Sequence, residues 1–396
     1  MQFLRKKLAN GITLIMEKRE LPIVSLSITN RFGAAYETSD IKGIAHFIEH
    51  LLFTGTKKRT HEDISREIEK RGGILNAFTA HDVTSYWFKL PAEHLFTGLD
   101  ILTDMLNNAI FDEKKFEKEK KVILEEIKMY HDTPQRHVYD KIESNLYKKP
   151  FGENVIGSEK TIKALERDFV ADYFKKMYNP ENFIVTVVGS AEIEKVAHYL
   201  EQNFKPTTNK PTLQKPEKQN LNATEERPGI DQAHFIFAIH APLFTDPNYH
   251  ALEVLDAYLA NGMSSKLFLK IREERGLAYA VKSSLNTEKN YSYYAIYVGT
   301  TKEALPEIKK IILEEFENTK DLTEKDIAEA KERLIGLRKI SIEESTNVMN
   351  ELLYAELISK AEDYYTHDKK IEKVTLEEVK KIAQIEDYST AAIVPK

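Results

Sequence analysis

The stretch His46-Phe47-Ile48-Glu49-His50 decides how the rest of this chain is interpreted. Two histidines four residues apart enclose a glutamate, within a run from residue 44 to residue 53 that is otherwise apolar. If this run is a helix, residues at i, i+3 and i+4 share a face, so His46, Glu49 and His50 point the same way. Two imidazoles and a carboxylate in apolar surroundings are costly unless something satisfies them. A zinc ion does so, because it binds neutral imidazole nitrogens readily.

The order of these residues is that of an inverted zinc-protease motif. His-x-x-Glu-His reverses the common His-Glu-x-x-His, and in both orders the glutamate lies within one turn of both histidines. A glutamate placed there can serve as the base for an attacking water. The alternative is a pair of core histidines bonded to the backbone, with the glutamate paired to one of them. Since the chain has 12 histidines, the motif alone does not decide between the two, and a third ligand is needed.

A helix predicted over residues 116–130 offers the candidates for that third ligand. Glu119 and Glu126 are seven residues apart, which is two turns, so they share a face. Glu125 is turned by about 100° from Glu126 and faces elsewhere. One of the two aligned carboxylates could bind the metal, and the other could support a histidine or the water. The alternative is a solvated helix face with Lys–Glu pairs.

Composition narrows the classes of function. The chain has 57 basic and 63 acidic residues, and the net charge of −6 argues weakly against nucleic acid as a partner. No apolar run approaches the ~18 residues of a membrane span, so no membrane partner is expected. The first residues show neither a long apolar core nor a small-residue cleavage site, so a cytoplasmic location is expected. Cysteine is absent, so a zinc site must use His, Asp and Glu.

A chain of 396 residues is too long for one ordinary core, so two domains are expected. Residues 206–229 are rich in Pro, Lys, Thr, Asn and Gln and are predicted to be a linker between domains 1–205 and 230–396. Both sides show the same order of predicted strands and helices, which indicates a faint internal duplication. The predicted fold class is α+β, with two similar α/β sandwich domains. Each has a mainly antiparallel sheet with helices packed on one side.

The second half has a counterpart of the histidine motif. Residues 250–255 read His-Ala-Leu-Glu-Val-Leu, which keeps one histidine and one glutamate but no second histidine. A metal site is therefore expected only in the first half.

Several stretches together resemble one protein family. They are HFIEHLLF (46–53), EIEKRGGILNAFTAHDVTSYWFKLP (67–91), EKKVILEEIKMYHDTP (119–134) and SSKLFLKIREERGLAYAV (264–281). The chain resembles the pitrilysin-type (inverzincin, M16) zinc metallopeptidases. Its length is similar to that of the short-chain branch with bacterial and mitochondrial processing peptidases. The resemblance implies that one chain is half of a clamshell.

The resemblance also assigns roles to residues of the first half. It implies that His46, His50 and Glu126 are the zinc ligands, that Glu49 is the catalytic base and that Glu119 is an accessory catalytic acid. Cofactor and catalytic group would then lie together in the N-terminal domain, which carries the inverted motif.

Substrate-binding residues follow from the resemblance as well. Asn76, Ala77 and Phe78, with Thr79, would form an edge strand along which the substrate backbone pairs, a mode that depends little on sequence. Arg272 and Tyr279 would hold the substrate carbonyl, and guanidinium and phenol groups suit that role. Their ordinary alternatives are a salt bridge at a helix end and a half-buried strand residue.

The expected function is that of a zinc-dependent endopeptidase. It would hydrolyse short or unfolded peptides in an enclosed chamber formed by two half-clamshell chains. A homodimer is expected, or a heterodimer with a related chain. The alternatives are a non-catalytic partner subunit and a peptide-binding scaffold of the same fold.

Overall fold

A computed structural model describes residues 2–207, 209 and 211–396 of the chain. The chain divides into two compact units. Unit 1 comprises Met1–Lys128, Asn154–Gln214 and Ser341–Tyr364, and unit 2 comprises Met129–Glu153, Lys215–Ile340 and Tyr365–Lys396. No helix in the described ranges combines the length and the apolar character needed to cross a membrane.

Unit 1 is built on a six-stranded sheet. Its strands are β1 (Gln2–Lys7), β2 (Thr13–Lys18), β3 (Ile23–Asn30), β4 (Ile74–Thr79), β5 (Thr84–Pro91) and β6 (Phe183–Gly189). Their order across the sheet is β1-β2-β6-β3-β5-β4, so β4 is an edge strand. β2 and β6 pair in parallel, and all other pairs in this sheet are antiparallel.

Unit 2 repeats this sheet without an equivalent of β1. Its strands are β7 (Asn222–Arg227), β8 (Ala233–His240), β9 (Ala278–Thr287), β10 (Ser292–Thr300) and β11 (Ser389–Pro395). The order is β7-β11-β8-β10-β9, with β7 and β11 parallel and the other pairs antiparallel. Strand for strand this matches β2-β6-β3-β5-β4. The expectation of two similar domains with mainly antiparallel sheets is confirmed.

Helices fill most of the remaining chain. They are α1 (Ile44–Leu52), α2 (His61–Glu69), α3 (Leu95–Asn108), α4 (Glu113–Asp132), α5 (Pro134–Leu146), α6 (Glu159–Ala164), α7 (Arg167–Met177), α8 (Ile193–Asn203), α9 (Tyr249–Leu259), α10 (Leu305–Asn318), α11 (Glu324–Ser341), α12 (Ser345–Ile358), α13 (His367–Lys373) and α14 (Leu376–Ile382). A π-helical segment, Phe268–Glu274, lies between α9 and β9.

Most of these helices pack on one face of each sheet, as expected, but the opposite face is covered too. In β3 the apolar residues Val24, Leu26 and Ile28 face the core that α1 and α3 complete. The alternate residues of this strand are Ser25, Ser27 and Thr29, and they are also buried. The Ser25 hydroxyl lies 2.8 Å from that of Ser345, so α12 packs on this polar face. In unit 2, α5 packs against β8 and β11.

These two helices explain why the units differ from the predicted domains 1–205 and 230–396. Residues 129–153, which include α5, belong to unit 2, and residues 341–364, which include α12, belong to unit 1. Each helix covers the sheet of the other half of the chain. The predicted linker 206–229 also contains the regular strand β7. Within that linker, Thr208 and Lys210 lie outside the described residues.

Two helical glycines in different packing environments give a matched test of the core. A Cβ added to Gly98 in α3 would lie 2.7 Å from the buried Phe88 ring, whereas one added to Gly336 in α11 meets no atom within 4 Å. Gly336→Ala should raise the free energy of unfolding by about 0.5–1 kcal/mol, because alanine loses less backbone entropy. Gly98→Ala should lower it by about 1–2 kcal/mol, because overpacking outweighs that gain. Urea denaturation measures both, and equal stabilisation by the two substitutions would contradict the packing around α3.

Candidate metal centre

The start of α1 is fixed by a glycine and a carboxylate. Gly43 precedes the helix with φ of 96°, and a Cβ there would lie 2.6 Å from the Ile156 carbonyl oxygen. The Glu37 carboxylate accepts hydrogen bonds from the N–H groups of Gly43 (3.0 Å) and Ala45 (2.7 Å). A negative charge at a helix N-terminus is favourable. The helix therefore begins at a defined residue, and the position of His46 is set with it.

Aromatic packing brings α4 alongside α1. Phe47 and Phe116 are both buried, and their ring centroids are 4.8 Å apart. Ile123, two turns further along α4, is also buried. With these apolar residues on one side, the helix directs Glu119 and Glu126 towards the histidines, whereas the Glu125 side chain is 72% exposed and pairs with Lys128.

The structure brings His46, His50 and Glu126 together in unit 1. His46 Nε2 lies 3.7 Å from Glu126 Oε2, and His50 Nε2 lies 3.6 Å from the same oxygen. Tetrahedral zinc with bonds of about 2.1 Å separates its ligand atoms by about 3.4 Å. The donor set fits zinc in its chemistry, and both distances from an imidazole to the carboxylate are within a few tenths of an ångström of that spacing.

Protonation of the two imidazoles differs. Burial, followed by the charge of His50, lowers the pKa of His46 to about 3, so His46 is neutral and ready to bind a metal. Burial also acts to lower the pKa of His50, but Glu119, Glu49 and Glu126 outweigh it and raise that pKa. His50 Nδ1 lies 3.5 Å from Glu119 Oε2. Glu119 thus orients His50 through the ring nitrogen that faces away from Glu126.

Glu49 is held by the edge strand of the sheet. Its carboxylate accepts a hydrogen bond from the hydroxyl of Thr79, the last residue of β4. Burial is the largest cause of its raised pKa, and Glu126 adds to it, while the bond from Thr79 opposes it. A carboxylate with a raised pKa is better matched to proton transfer near neutral pH.

A cavity of about 370 Å³ opens beside Glu49 and His50. Its lining includes Phe53, Thr54, His61, Asn76, Lys115, Lys118 and Glu119. Of the predicted strand residues, Asn76 is exposed and lines this cavity, while Ala77 and Phe78 are half-buried in β4. β4 pairs only with β5 in the described sheet, so it is an edge strand, the kind of element to which an extended peptide can add.

The remaining predicted site residues, Arg272 and Tyr279, lie in unit 2. The Arg272 guanidinium lies 4.9 Å from the centre of the Phe268 ring. Tyr279 is 46% exposed on β9. Both side chains are accessible to a ligand.

Two further groups of histidine and acidic residues occur in the described part of unit 2. In one, His131, His137 and Glu225, the carboxylate is occupied by Lys141 (2.9 Å) and Arg227 (2.6 Å). Burial opposes ionisation of Glu225, but these cations lower its pKa to about 2. Glu225 is therefore satisfied without a metal.

The other group occupies the predicted counterpart of the histidine motif. His250 Nδ1 lies 2.7 Å from Glu253 Oε2, and His367 Nε2 from α13 lies 3.1 Å from Glu253 Oε1. A second histidine is thus present after all, although 114 residues separate it from Glu253 in sequence. These are hydrogen-bond distances, shorter than the 3.6–3.7 Å of the first site. Hydrogen bonds hold this group together.

Sequence reasoning missed three residues around these sites. Glu37 left a weak signal, an acid shortly before the glycine that begins the histidine helix. Thr79 falls on the predicted substrate strand, but its bond to Glu49 follows from the sheet. His367 left no signal, because only the tertiary fold brings α13 to α9.

The duplicated α+β fold and the inverted motif define a class of two-unit proteins with a candidate metal centre in unit 1. Residues 13–159 match the insulinase (peptidase family M16) domain, and residues 164–334 match the peptidase M16 inactive domain. The chain therefore belongs to the peptidase M16 family.

Individual relatives agree with this assignment. The chain is 31% identical over 404 residues to an uncharacterized zinc protease, YmxG, of Bacillus subtilis, covering 98% of this chain and 97% of that protein. It is 29% identical to an uncharacterized zinc protease of Mycobacterium leprae, covering 96% and 88%. A crystal structure of a protease from Helicobacter pylori superposes with a TM-score of 0.91 at 21% identity, covering 100% and 99%, which shows the fold.

Two neighbouring glutamates of α4 provide a matched test of the metal centre. Glu126→Ala should reduce zinc affinity by more than the roughly 10–100-fold typical of losing a residue that only supports a ligand. Glu125→Ala should leave affinity unchanged, because its side chain is exposed. Competition with a chelator of known affinity measures both. Equal affinities in the two variants would rule out Glu126 as a ligand.

The hydrogen-bonded group in unit 2 predicts a pH dependence of stability. Burial acts to raise the pKa of Glu253, but the hydrogen bonds from His250 and His367 outweigh burial and lower this pKa below its usual 4.5. Burial acts to lower the pKa of His367, but Glu253 outweighs burial and raises this pKa above its usual 6.5. The contribution of Glu253 to folding stability is complete above pH 4.5 and is lost as the pH falls through the folded-state pKa of Glu253. The contribution of His367 is complete below pH 6.5 and is lost as pH rises through the folded-state pKa of His367.

The stability difference between the native chain and Glu253→Gln should therefore be greatest from pH 4.5 to 6.5. A maximum of about 1.5–3 kcal/mol is expected, since charged groups are bonded. Unfolding free energies measured across this range test the group, and a difference that does not vary with pH would contradict it.

Proposed function

We propose that this chain is a zinc-dependent endopeptidase that cleaves short or unfolded peptides. The observation that carries the proposal is the convergence of two imidazoles and one carboxylate at 3.6–3.7 Å, with a second carboxylate, Glu49, beside them. Membership of the M16 family and relatives named as zinc proteases support it.

His46, His50 and Glu126 would hold the ion. When bound, zinc supplies a Lewis acid that polarises the substrate carbonyl and makes water more acidic. Glu49 takes a proton from the attacking water and then gives it to the leaving amine. Thr79 holds the Glu49 carboxylate in place through its hydroxyl. Glu119 keeps His50 oriented and would act as the accessory acid.

The substrate would lie along β4 as an added strand. Main-chain hydrogen bonds to Asn76, Ala77 and Phe78 bind extended peptides with little regard to sequence. Thr79 follows these residues directly, so a peptide in register on β4 runs past Glu49. Folded proteins lack a free extended segment, which is why the proposed substrates are short or unfolded.

Arg272 and Tyr279 complete the proposed site. A guanidinium positions a carbonyl near the scissile bond, and a phenol donates to the developing oxyanion. We propose that two copies of the chain enclose a chamber and that each copy supplies Arg272 and Tyr279 to the zinc site of the other. A related, separately encoded chain could take the place of the second copy, and the proposed location is the cytoplasm.

Replacement of the proposed base tests the chemistry. Glu49→Gln should lower kcat by roughly 10²–10⁴-fold, because the amide cannot accept the proton of water. Zinc content should remain at that of the native chain, because Glu49 is outside the ligand set. Hydrolysis of a quenched fluorescent peptide and metal analysis of the same preparation measure the two effects. A native chain that holds zinc but hydrolyses no member of a peptide library would indicate the non-catalytic alternatives.

Mixing variants tests the exchange of residues between copies. Glu49→Gln and Tyr279→Phe should each be inactive or nearly so, but their mixture should recover up to about one quarter of native activity. Half of the mixed assemblies would be heterodimers, and each of these has one site with both groups intact. Native mass spectrometry verifies subunit exchange. Mixed dimers as inactive as either parent would disprove the shared site.

A further inference from the structure

Tyr279 packs against a glycine in the sheet of unit 2. A Cβ built on Gly299 would lie 2.3 Å from Tyr279 Cζ and 2.4 Å from its hydroxyl oxygen. The pairing of β9 with β10 shifts register between Gly299 and Thr300, next to this contact. The tyrosine ring therefore lies directly on the backbone of Gly299. Any side chain at position 299 would collide with the ring.

The hydroxyl of Tyr279 is the outer end of a hydrogen-bonded chain. It lies 3.3 Å from the hydroxyl of Tyr297, which lies 2.8 Å from His234 Nδ1. Tyr297 is 1% exposed and His234 is 9% exposed, whereas Tyr279 is 46% exposed. The ring of Tyr139 stacks on Tyr297 with centroids 6.1 Å apart. Two buried polar groups thus support the hydroxyl of one exposed side chain.

We propose that Tyr297 and His234 are positioning residues that hold the Tyr279 hydroxyl and leave its proton free for the carbonyl oxygen of a peptide substrate. This inference rests on the proposed function, because it concerns the group assigned there to the developing oxyanion.

The order of donors determines where the free proton lies. A tyrosine hydroxyl has one proton to donate and can also accept. Burial lowers the pKa of His234, so its imidazole is neutral and carries one N–H. With that proton on Nδ1, His234 donates to Tyr297, and Tyr297 donates to Tyr279. The Tyr279 proton is then directed outwards, and the chain polarises the hydroxyl in the direction that favours donation.

Strand β10 supplies a control for this arrangement. Tyr294 is 1% exposed, and its hydroxyl donates to Asp256 at 2.8 Å. Tyr294 and Tyr297 are three residues apart and therefore lie on opposite faces of the strand. Tyr294→Phe and Tyr297→Phe each remove one buried, hydrogen-bonded hydroxyl from the same strand, but only Tyr297 contacts Tyr279.

The experiment measures kcat and KM of the zinc-loaded full-length chain with a quenched fluorescent peptide. Tyr297→Phe should lower kcat about tenfold with KM within about twofold, because a misplaced group costs rate more than binding. Tyr294→Phe should stay within about twofold of native kcat. His234→Asn keeps an N–H near the position of Nδ1 and should retain more activity than His234→Leu. Zinc content and the thermal midpoint of each variant show that it is folded.

A double variant separates positioning from general stability. Tyr279→Phe with Tyr297→Phe should be no slower than Tyr279→Phe alone, because Tyr297 acts through the Tyr279 hydroxyl. Multiplicative losses, or a Tyr297→Phe chain as fast as the native chain while Tyr279→Phe is slow, would overturn the inference and leave the proposed function standing. Absence of hydrolysis by the native zinc-loaded chain would overturn both.

Discussion

The contact between α1 and α4 is the constraint on which the candidate centre depends. Phe47 and Phe116 pack in the core with their rings tilted by 38°, and this contact places the two helices side by side. Their polar faces then meet beside the core, where two imidazoles and three carboxylates are assembled. Burying these groups is unfavourable unless they are neutralised together, and the apolar packing gathers imidazole and carboxylate donors of the kind that bind divalent cations.

Duplication of the sheet shows how one architecture holds different chemistry. β3 and α1 in unit 1 correspond to β8 and α9 in unit 2. Both helices carry a histidine and a glutamate three residues apart, and both acquire a second histidine. In unit 1 that residue is His50 on the same helix, at a spacing suited to an ion. In unit 2 it is His367 from another helix, at hydrogen-bond distance. Spacing, not composition, distinguishes the two groups.

Several features were predictable because they follow from local spacing. Strand β3, the histidine helix and the aligned pair Glu119 and Glu126 depend on periods of two and 3.6 residues. The coverage of each sheet by a helix from the other half of the chain could not be predicted in this way. The face beneath α12 carries Ser25 and other small polar residues, and a polar strand face normally indicates solvent.

The sequence by itself determined the α+β class, the duplication and the residue types gathered on α1 and α4. These depend on periodicity and on residues a few positions apart. Only the tertiary structure decided three contacts. Thr79 bonds Glu49, His367 bonds Glu253 in unit 2, and Tyr279 packs on Gly299. Each of these contacts joins separate elements, and its distance is set by the packing of side chains between them, which no local pattern specifies.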